Sequence, residues 1–268
     1  MVVVLLNEEN YKLFMKIYST QKLKKYSGEL SETFIIEPLD IGQGITIGNT
    51  LRRILLSELY GFAITDIQLT NISHEFEQLN NCREDITEIL LNLKQVILKP
   101  TFSFLRDLSN KNTSYKLLFK MKGPAILTAG MLNIPNQLKI INPNAYICTI
   151  TNDSEIEILL TIKYSKLFRT LNDLKHEFYF EKTYLNEGFS IDIDAIFNPI
   201  KMVNYKIKLI HDTNGNIKES LVLEIITNGS ITPKRALVES ANICLKTFYP
   251  ILAAACNINS LNTLLEII

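Results

Sequence analysis

Turn-forming dipeptides interrupt the middle of this 268-residue chain at three places. The breaks are Gly-Pro at 123–124, Asn-Pro at 142–143 and Asn-Asp at 152–153. Apolar runs separated by Gly, Pro and Asn dipeptides are typical of strands joined by turns. Residues 115–163 are therefore predicted to form short strands, among which 156–162 has the pattern of an edge or hairpin strand.

Apolar residues recur at helical spacing in three other parts of the chain: 47–59, 83–98 and 232–249. Strand patterns lie around these helices, at 31–39, 63–72, 205–209 and 221–226. The last two strands are joined by Asn214-Gly215, a dipeptide typical of tight hairpins. Because strands and helices do not alternate regularly, the sequence predicts an α+β fold with antiparallel strands. The polar stretch 165–188 is predicted to be a loop.

The helix predicted over 47–59 has one apolar face. At about 100° per residue, four apolar side chains fall on one side of it: Leu51, Ile54, Leu55 and Leu59. Arg53 falls almost opposite this face, and Leu56 lies beside Arg53. Gly61 is predicted to end the helix. The outer side therefore offers a cation with an apolar neighbour, which makes it a candidate contact patch.

The last predicted helix begins at Thr232, a good N-cap residue, with Pro233 in the first helical position. Its apolar stripe consists of Leu237, Ala241, Cys244, Leu245 and Phe248. Pro250 is expected to kink or stop this helix, and a further short helix is expected within 251–268. The apolar stripes of both long helices have two possible uses, which the pattern leaves open. They cover the sheet, or they pair with a second copy of the chain across a two-fold axis.

The sequence offers no catalytic or metal-binding constellation. Its four cysteines stand far apart, without the short spacing of zinc ligands or redox pairs. Asp192 and Asp194 would face the same side of a strand, but no third ligand lies nearby, so a solvated strand face explains them better. We therefore expect no catalytic residue, no metal and no cofactor. A stand-alone enzyme with its site in the 165–188 loop is the alternative from another functional class.

Charge and composition bear on partners and origin. The chain has 28 Lys+Arg and 28 Asp+Glu, and this balance argues against binding nucleic acid by bulk electrostatic attraction. No apolar run reaches the ~18–20 residues of a membrane span, so no membrane partner is expected. The 37 Ile and 25 Asn against 10 Ala indicate an A/T-rich genome, because A/T-rich codons encode Ile and Asn.

Several runs of residues together resemble one protein family. Phe34-Ile-Ile-Glu-Pro-Leu is followed by Gly44-Ile-Thr-Ile-Gly-Asn-Thr-Leu-Arg-Arg-Ile-Leu-Leu-Ser. Two later runs are Glu84-Asp-Ile-Thr-Glu-Ile-Leu-Leu-Asn-Leu-Lys and Leu223-Glu-Ile-Ile-Thr-Asn-Gly-Ser-Ile-Thr-Pro. In this order, and with shorter matches between about 34 and 248, they resemble the alpha subunit of bacterial and plastid RNA polymerases.

The resemblance implies both an architecture and a function. The architecture is a dimerisation subdomain with two long helices on an antiparallel sheet, built from 1–60 with 200–268, and an inserted β-rich subdomain over 61–199. The function is that of a non-catalytic subunit. It forms a homodimer on which the beta and then the beta-prime subunits assemble into a DNA-directed RNA polymerase. It would meet DNA only indirectly, through the complete polymerase.

The resemblance also implies roles for individual residues. Arg53 and Leu56 would contact the beta subunit, and Lys94 and Ile193 would contact beta-prime. The homodimer interface would lie on the two long helices, through Leu51, Ile54, Leu55, Leu237, Ala241, Cys244 and Phe248.

This chain departs from the family pattern in three places. Ile41 and Gln43 stand where the family usually has an arginine and an aromatic residue, which changes the charge of the beta-facing loop. Lys163-Tyr-Ser-Lys stands in place of Arg-Gly-Arg-Gly-Tyr. The family's carboxy-terminal DNA-binding domain has no counterpart, so no upstream promoter contact is expected.

The expected location follows from composition and from the first residues. No targeting segment is recognised, and the codon bias is A/T-rich, so the chain is expected to be encoded in a plastid (chloroplast), or otherwise to belong to bacterial cytoplasm. The alternative within the same class is an alpha-like subunit that forms an obligate heterodimer, as in archaeal and nuclear polymerases.

Overall fold

The computed structural model describes residues 15–25, 28–69, 76–79, 82–101, 114–166, 168–169, 189–211 and 215–255. Some features expected from the sequence lie outside these residues. They are most of the 165–188 loop, Asn214 of the hairpin turn, the end of the strand expected over 63–72, and the tail beyond 255.

The helices are α1 (Gln43–Ser57), α2 (Ile86–Lys94) and α3 (Pro233–Ala255). The strands before residue 150 are β1 (Lys16–Lys24), β2 (Leu30–Leu39), β3 (Tyr60–Leu69), β4 (Leu98–Pro100), β5 (Ser114–Lys122), β6 (Ala125–Thr128), β7 (Leu138–Ile140) and β8 (Tyr146–Ile150). The later strands are β9 (Glu155–Lys166), β10 (Phe168–Arg169), β11 (Phe189–Asp192), β12 (Ala195–Ile196), β13 (Ile200–His211) and β14 (Ile217–Thr227).

Both ends of the described chain meet in one sheet, with strand order β1-β2-β14-β13. Helices α1 and α3 pack against each other and on one face of this sheet. The alternation of β14 explains which face they cover, because its inward residues Leu221, Leu223 and Ile225 are fully buried. We call β1, β2, α1, β13, β14 and α3 the two-helix lobe.

The middle of the chain forms a second, larger sheet with strand order β5-β9-β3-β4-β7, and β11 also pairs with β3. Helix α2 belongs to its core through Ile86, Ile89 and Leu93. Short pairs of strands, β6 with β8 and β10 with β12, complete this region. We call β3 to β12 together with α2 the inserted lobe. The described strand pairs are all antiparallel, which confirms the predicted α+β class.

Strand β9 occupies a position that its local pattern did not indicate. It pairs with β5 on one side and β3 on the other, and neither is its neighbour in the chain, so the expectation of an edge or hairpin strand was wrong. The preceding strand, β8, pairs with β6 instead. The neighbours of β9 are therefore set by pairings between distant segments, which a local pattern does not contain.

The boundaries of all three helices also differ from the expected ones. Helix α1 begins at Gln43, four residues early, and Gly61 lies in β3 rather than ending the helix. Helix α2 is shorter than the predicted 83–98. Helix α3 does not stop at Pro250 but continues to Ala255. The residues around Pro250 are exposed, so water can satisfy the carbonyl that loses its partner there.

The predicted turns of the two-helix lobe are confirmed where the structure describes them. Gly215 and Gly229 have φ of 76° and 94°, values that glycine adopts without strain. Thr232 caps α3, since its Oγ1 accepts a hydrogen bond from Arg235 N at 3.4 Å. Turns and caps depend on a few neighbouring residues, so the local sequence is sufficient to predict them.

Candidate functional site

The apolar face of α1 belongs to the core of its own lobe. Leu51, Ile54 and Leu55 are buried, and Leu51, Leu55 and Leu59 belong to the core of this lobe. The predicted shared face is confirmed. In the single protomer these three side chains are at most 9% exposed, and their assignment to a dimer interface remains a prediction.

The opposite side of α1 is open. Arg53 is exposed, and Leu56 beside it is 37% exposed, as the helical arrangement predicts. The helix contains no acidic residue, and within the described parts of the chain neither Arg52 nor Arg53 forms an ion pair. Two exposed cations beside an apolar side chain fit a partner surface that combines carboxylates with apolar groups.

The structure adds residues to this side of α1 that the sequence analysis missed. Ile45 and Asn49 are exposed on the same side as Arg52 and Leu56. The spacing contains the signal, because Ile45 and Arg52 are seven residues apart and therefore share one helix face. We call Ile45, Asn49, Arg52, Arg53 and Leu56 the outer face of α1.

The apolar stripe of α3 is divided between two environments. Leu237 is buried in the core of the two-helix lobe, and Cys244 is half-buried. Ala241, Leu245 and Phe248 are exposed. From Leu245 to Leu252, every residue is exposed on all sides of the helix. The second half of α3 therefore carries apolar side chains that its own protomer does not cover.

The two residues expected at beta-prime have different settings. Lys94 is half-buried at the end of α2. Ile193 is only 3% exposed in the core of the inserted lobe, and its N–H donates to Thr65 O at 2.7 Å. The side chain of Ile193 packs inside its own lobe, and its assignment to a beta-prime contact remains a prediction.

The residues considered for metal binding do not form a cluster. Asp192 pairs in register with Asp66 across β11 and β3, and Asp194 is half-buried beyond the strand. In the described ranges, no group of three His, Cys, Asp or Glu side chains could hold a metal ion. Cys82, Cys148 and Cys244 are free thiols.

A groove of about 550 Å³ lies at the junction of the two lobes. Tyr164 stacks on Tyr60 there, with ring centroids 5.3 Å apart, and burial raises its pKa to about 12. Arg235 donates from Nε to Glu239 Oε1 at 2.8 Å, so these two charges compensate each other. The groove is thus lined by aromatic rings and a closed ion pair rather than by an activated nucleophile and its base.

Among the helices of the described segments, none combines the length and hydropathy required to cross a bilayer.

Comparisons with known proteins agree on one family. The family model for the RNA polymerase Rpb3/RpoA insert domain matches residues 64–198. DNA-directed RNA polymerase subunit alpha of Thalassiosira pseudonana is 38% identical over 236 residues, which is 88% of this chain and 69% of the relative. The same subunit of Phaeodactylum tricornutum is 38% identical, over 93% of this chain and 74% of the relative.

A third relative, the alpha subunit of Rhodomonas salina, is 38% identical over 81% of this chain and 64% of its own length. These relatives come from plastid genomes of algae and diatoms. The 236 residues matched in the Thalassiosira pseudonana subunit include parts of both lobes and the outer face of α1. The chain therefore belongs to the family of DNA-directed RNA polymerase alpha subunits.

Proposed function

We propose that this chain is a non-catalytic alpha subunit of a plastid RNA polymerase. It forms a homodimer, and the homodimer is the platform on which the beta and beta-prime subunits assemble. The observation that carries the proposal is the pair of uncovered surfaces on the two-helix lobe, namely the outer face of α1 and the second half of α3.

The second half of α3 is the proposed dimer surface. An isolated helical end with Leu245, Phe248 and Leu252 exposed would leave a contiguous apolar surface in water. A second copy of the same helix offers a surface of the same kind, and a two-fold axis brings the two together. Ala241 and Cys244 lie at the start of this stripe and would border the contact.

Arg53 and Leu56 are the proposed contacts with the beta subunit. A guanidinium group recognises a carboxylate through two parallel hydrogen bonds, and a leucine adds apolar area beside it. Both side chains point away from the core of their own lobe, so a partner reaches them without any change in the protomer.

Lys94 is the proposed contact with beta-prime. It also stands in the last turn of α2, where a cation is favourable at the negative end of the helix. Replacing Lys94 with alanine therefore costs some helix stability as well as the contact. A Lys94→Arg variant keeps the charge at this helix end and serves as its control.

The two lobes are the proposed subdomains, the dimerisation subdomain over 1–60 with 200–268 and the inserted subdomain over 61–199. Support comes from their separate sheets and cores, and from the family model, which matches 64–198.

The test uses the full chain and the beta subunit of the same polymerase. Wild type is expected to have the mass of a dimer by light scattering and to capture beta in a pull-down assay. Arg53→Ala is expected to keep the dimer mass and to weaken capture roughly tenfold or more, the scale of a charged hydrogen-bonded pair. Arg83→Ala, which removes an exposed arginine from the inserted lobe, is the control.

Each outcome decides one element of the proposal. Equal capture by wild type and Arg53→Ala would remove the beta contact from α1. A monomeric mass at micromolar concentration would contradict the homodimer and favour a subunit that pairs with a different alpha-like chain.

A further inference from the structure

The first turn of α1 is held by a carboxylate from the other end of the chain. The N–H groups of Gly42 and Gly44 donate to Oε1 and Oε2 of Glu219, each at 2.9 Å. Glu219 lies on β14 and is 8% exposed. The start of a helix has unpaired N–H groups and a partial positive charge, and a carboxylate satisfies both.

The local sequence supplies no such cap. The N-cap residue is Gly42, whose φ of 89° lies in the left-handed region and which has no side chain to accept a hydrogen bond. In most helices, Ser, Thr, Asp or Asn at this position performs the task. Glu219 therefore replaces a local cap with a contact between α1 and the sheet.

Gly44 makes this contact possible. A Cβ atom at position 44 would lie 2.7 Å from Glu219 Oε2 and 3.4 Å from the side chain of Ile207. Any other residue would push the carboxylate away from the amide groups. Because Gly44 has no side chain, the first turn of α1 can lie close to β13 and β14.

The residue next to Glu219 holds the loop before the helix. Lys218 Nζ lies 2.6 Å from Asp40 Oδ1, and Gln43 N donates to Asp40 O at 3.0 Å. Two consecutive residues of β14 thus fix both the entry to α1 and its first turn. The start of the helix is attached to the sheet on two sides.

We infer that Glu219 is a positioning residue for the outer face of α1, because it fixes the direction in which Arg53 and Leu56 point. The inference rests on the proposed function. Arg53 lies nine residues beyond Gly44, about 14 Å along the helix axis. A tilt of about 10° at the anchored end would move Arg53 by about 2 Å, more than a hydrogen bond tolerates.

The first experiment compares Glu219→Gln with wild type in the full chain. The amide has nearly the same shape but lacks the charge, and its NH₂ group cannot accept a hydrogen bond. Hydrogen exchange at the amide of Gly44 is expected to become roughly tenfold faster, and capture of beta roughly tenfold weaker, while the dimer mass stays unchanged.

A destabilised control separates positioning from general stability. Ile36→Ala removes buried side-chain volume from β2 in the same lobe without touching the cap of α1. Well below the unfolding temperature of both variants, Ile36→Ala is expected to capture beta like wild type. Equal weakening of capture by both variants would overturn the positioning role.

A double-mutant cycle tests whether Glu219 acts through Arg53. In wild type, Glu219→Gln is expected to weaken beta binding roughly tenfold, but in the Arg53→Ala background less than about threefold. Strictly additive losses would overturn the inference. Unchanged binding in Arg53→Ala alone would overturn the proposed beta contact, and unchanged binding in Glu219→Gln alone would overturn the positioning role, so the two failures are distinct.

Discussion

Leu55 and Leu56 are neighbours in the chain but lie in opposite environments. The side chain of Leu55 is 0% exposed and packs between α1 and the sheet, whereas Leu56 faces outward beside Arg53. One step of about 100° around the helix separates a core residue from a proposed partner contact. The pair therefore offers a matched test of both assignments.

Leu55→Ala is expected to lower the free energy of unfolding by about 2–5 kcal/mol, because it leaves a cavity in the core. Leu56→Ala is expected to change it by about 0.5 kcal/mol or less, as is usual for exposed positions. Urea denaturation of the two variants measures the difference. Similar losses in both would contradict the orientation of α1.

Gly48→Ala is expected to lower the free energy of unfolding by about 1–3 kcal/mol, although alanine is the better helix former. A Cβ at Gly48 would lie 2.7 Å from the ring of Tyr205, and this ring is held in place because Tyr205 Oη donates to Asn49 Oδ1 at 2.7 Å.

Ile45→Ala, on the outer face of the same helix, is the control for Gly48→Ala and is expected to be close to neutral. In the Tyr205→Ala background, the ring is absent and Gly48→Ala is expected to cost less. Denaturation of wild type, Gly48→Ala, Tyr205→Ala and the double variant measures the coupling between the two positions. An equal cost of Gly48→Ala in both backgrounds would mean that the ring does not limit position 48.

Phe248→Glu is expected to convert the dimer to monomers without unfolding the protomer. Phe248 is 58% exposed, so a charge there is hydrated in the monomer and would be buried in the proposed dimer. Light scattering measures the mass, and circular dichroism measures the fold. Leu91→Glu, on the exposed face of α2, is the matched control and is expected to remain dimeric.

High pH is expected to destabilise the fold through Tyr164. Burial, followed by the nearby carboxylate of Glu239, raises its pKa from the ordinary 10.0 to about 12. Between these values, the unfolded state has lost the proton that the folded state keeps, so stability falls as pH rises from 10 to 12 and is fully present below 10.

Tyr164→Phe removes this titration. Its free energy of unfolding, measured by urea denaturation on both sides of the pH 10–12 window, is expected to fall less steeply than that of wild type. Parallel pH dependences in the two proteins would exclude Tyr164 as the source.

Local signals in the sequence determined much of this protein. The α+β class, the turns at Gly215 and Gly229, the cap at Thr232 and the two sides of α1 follow from spacing and turn chemistry, which act over a few residues. For the same reason, the spacing in the sequence predicts the exposure of Arg53 and Leu56.

Tertiary structure alone decided which apolar surfaces are covered. Leu51 and Leu55 have the same pattern as an interface ridge, and the sheet beneath them makes them core residues. Ile193 is buried because β11 adds to β3, and Glu219 meets Gly44 because β14 lies beneath the first turn of α1. Periodicity fixes the side of an element on which a residue lies. The partner on that side depends on segments far apart in the chain, whose pairing no local pattern encodes.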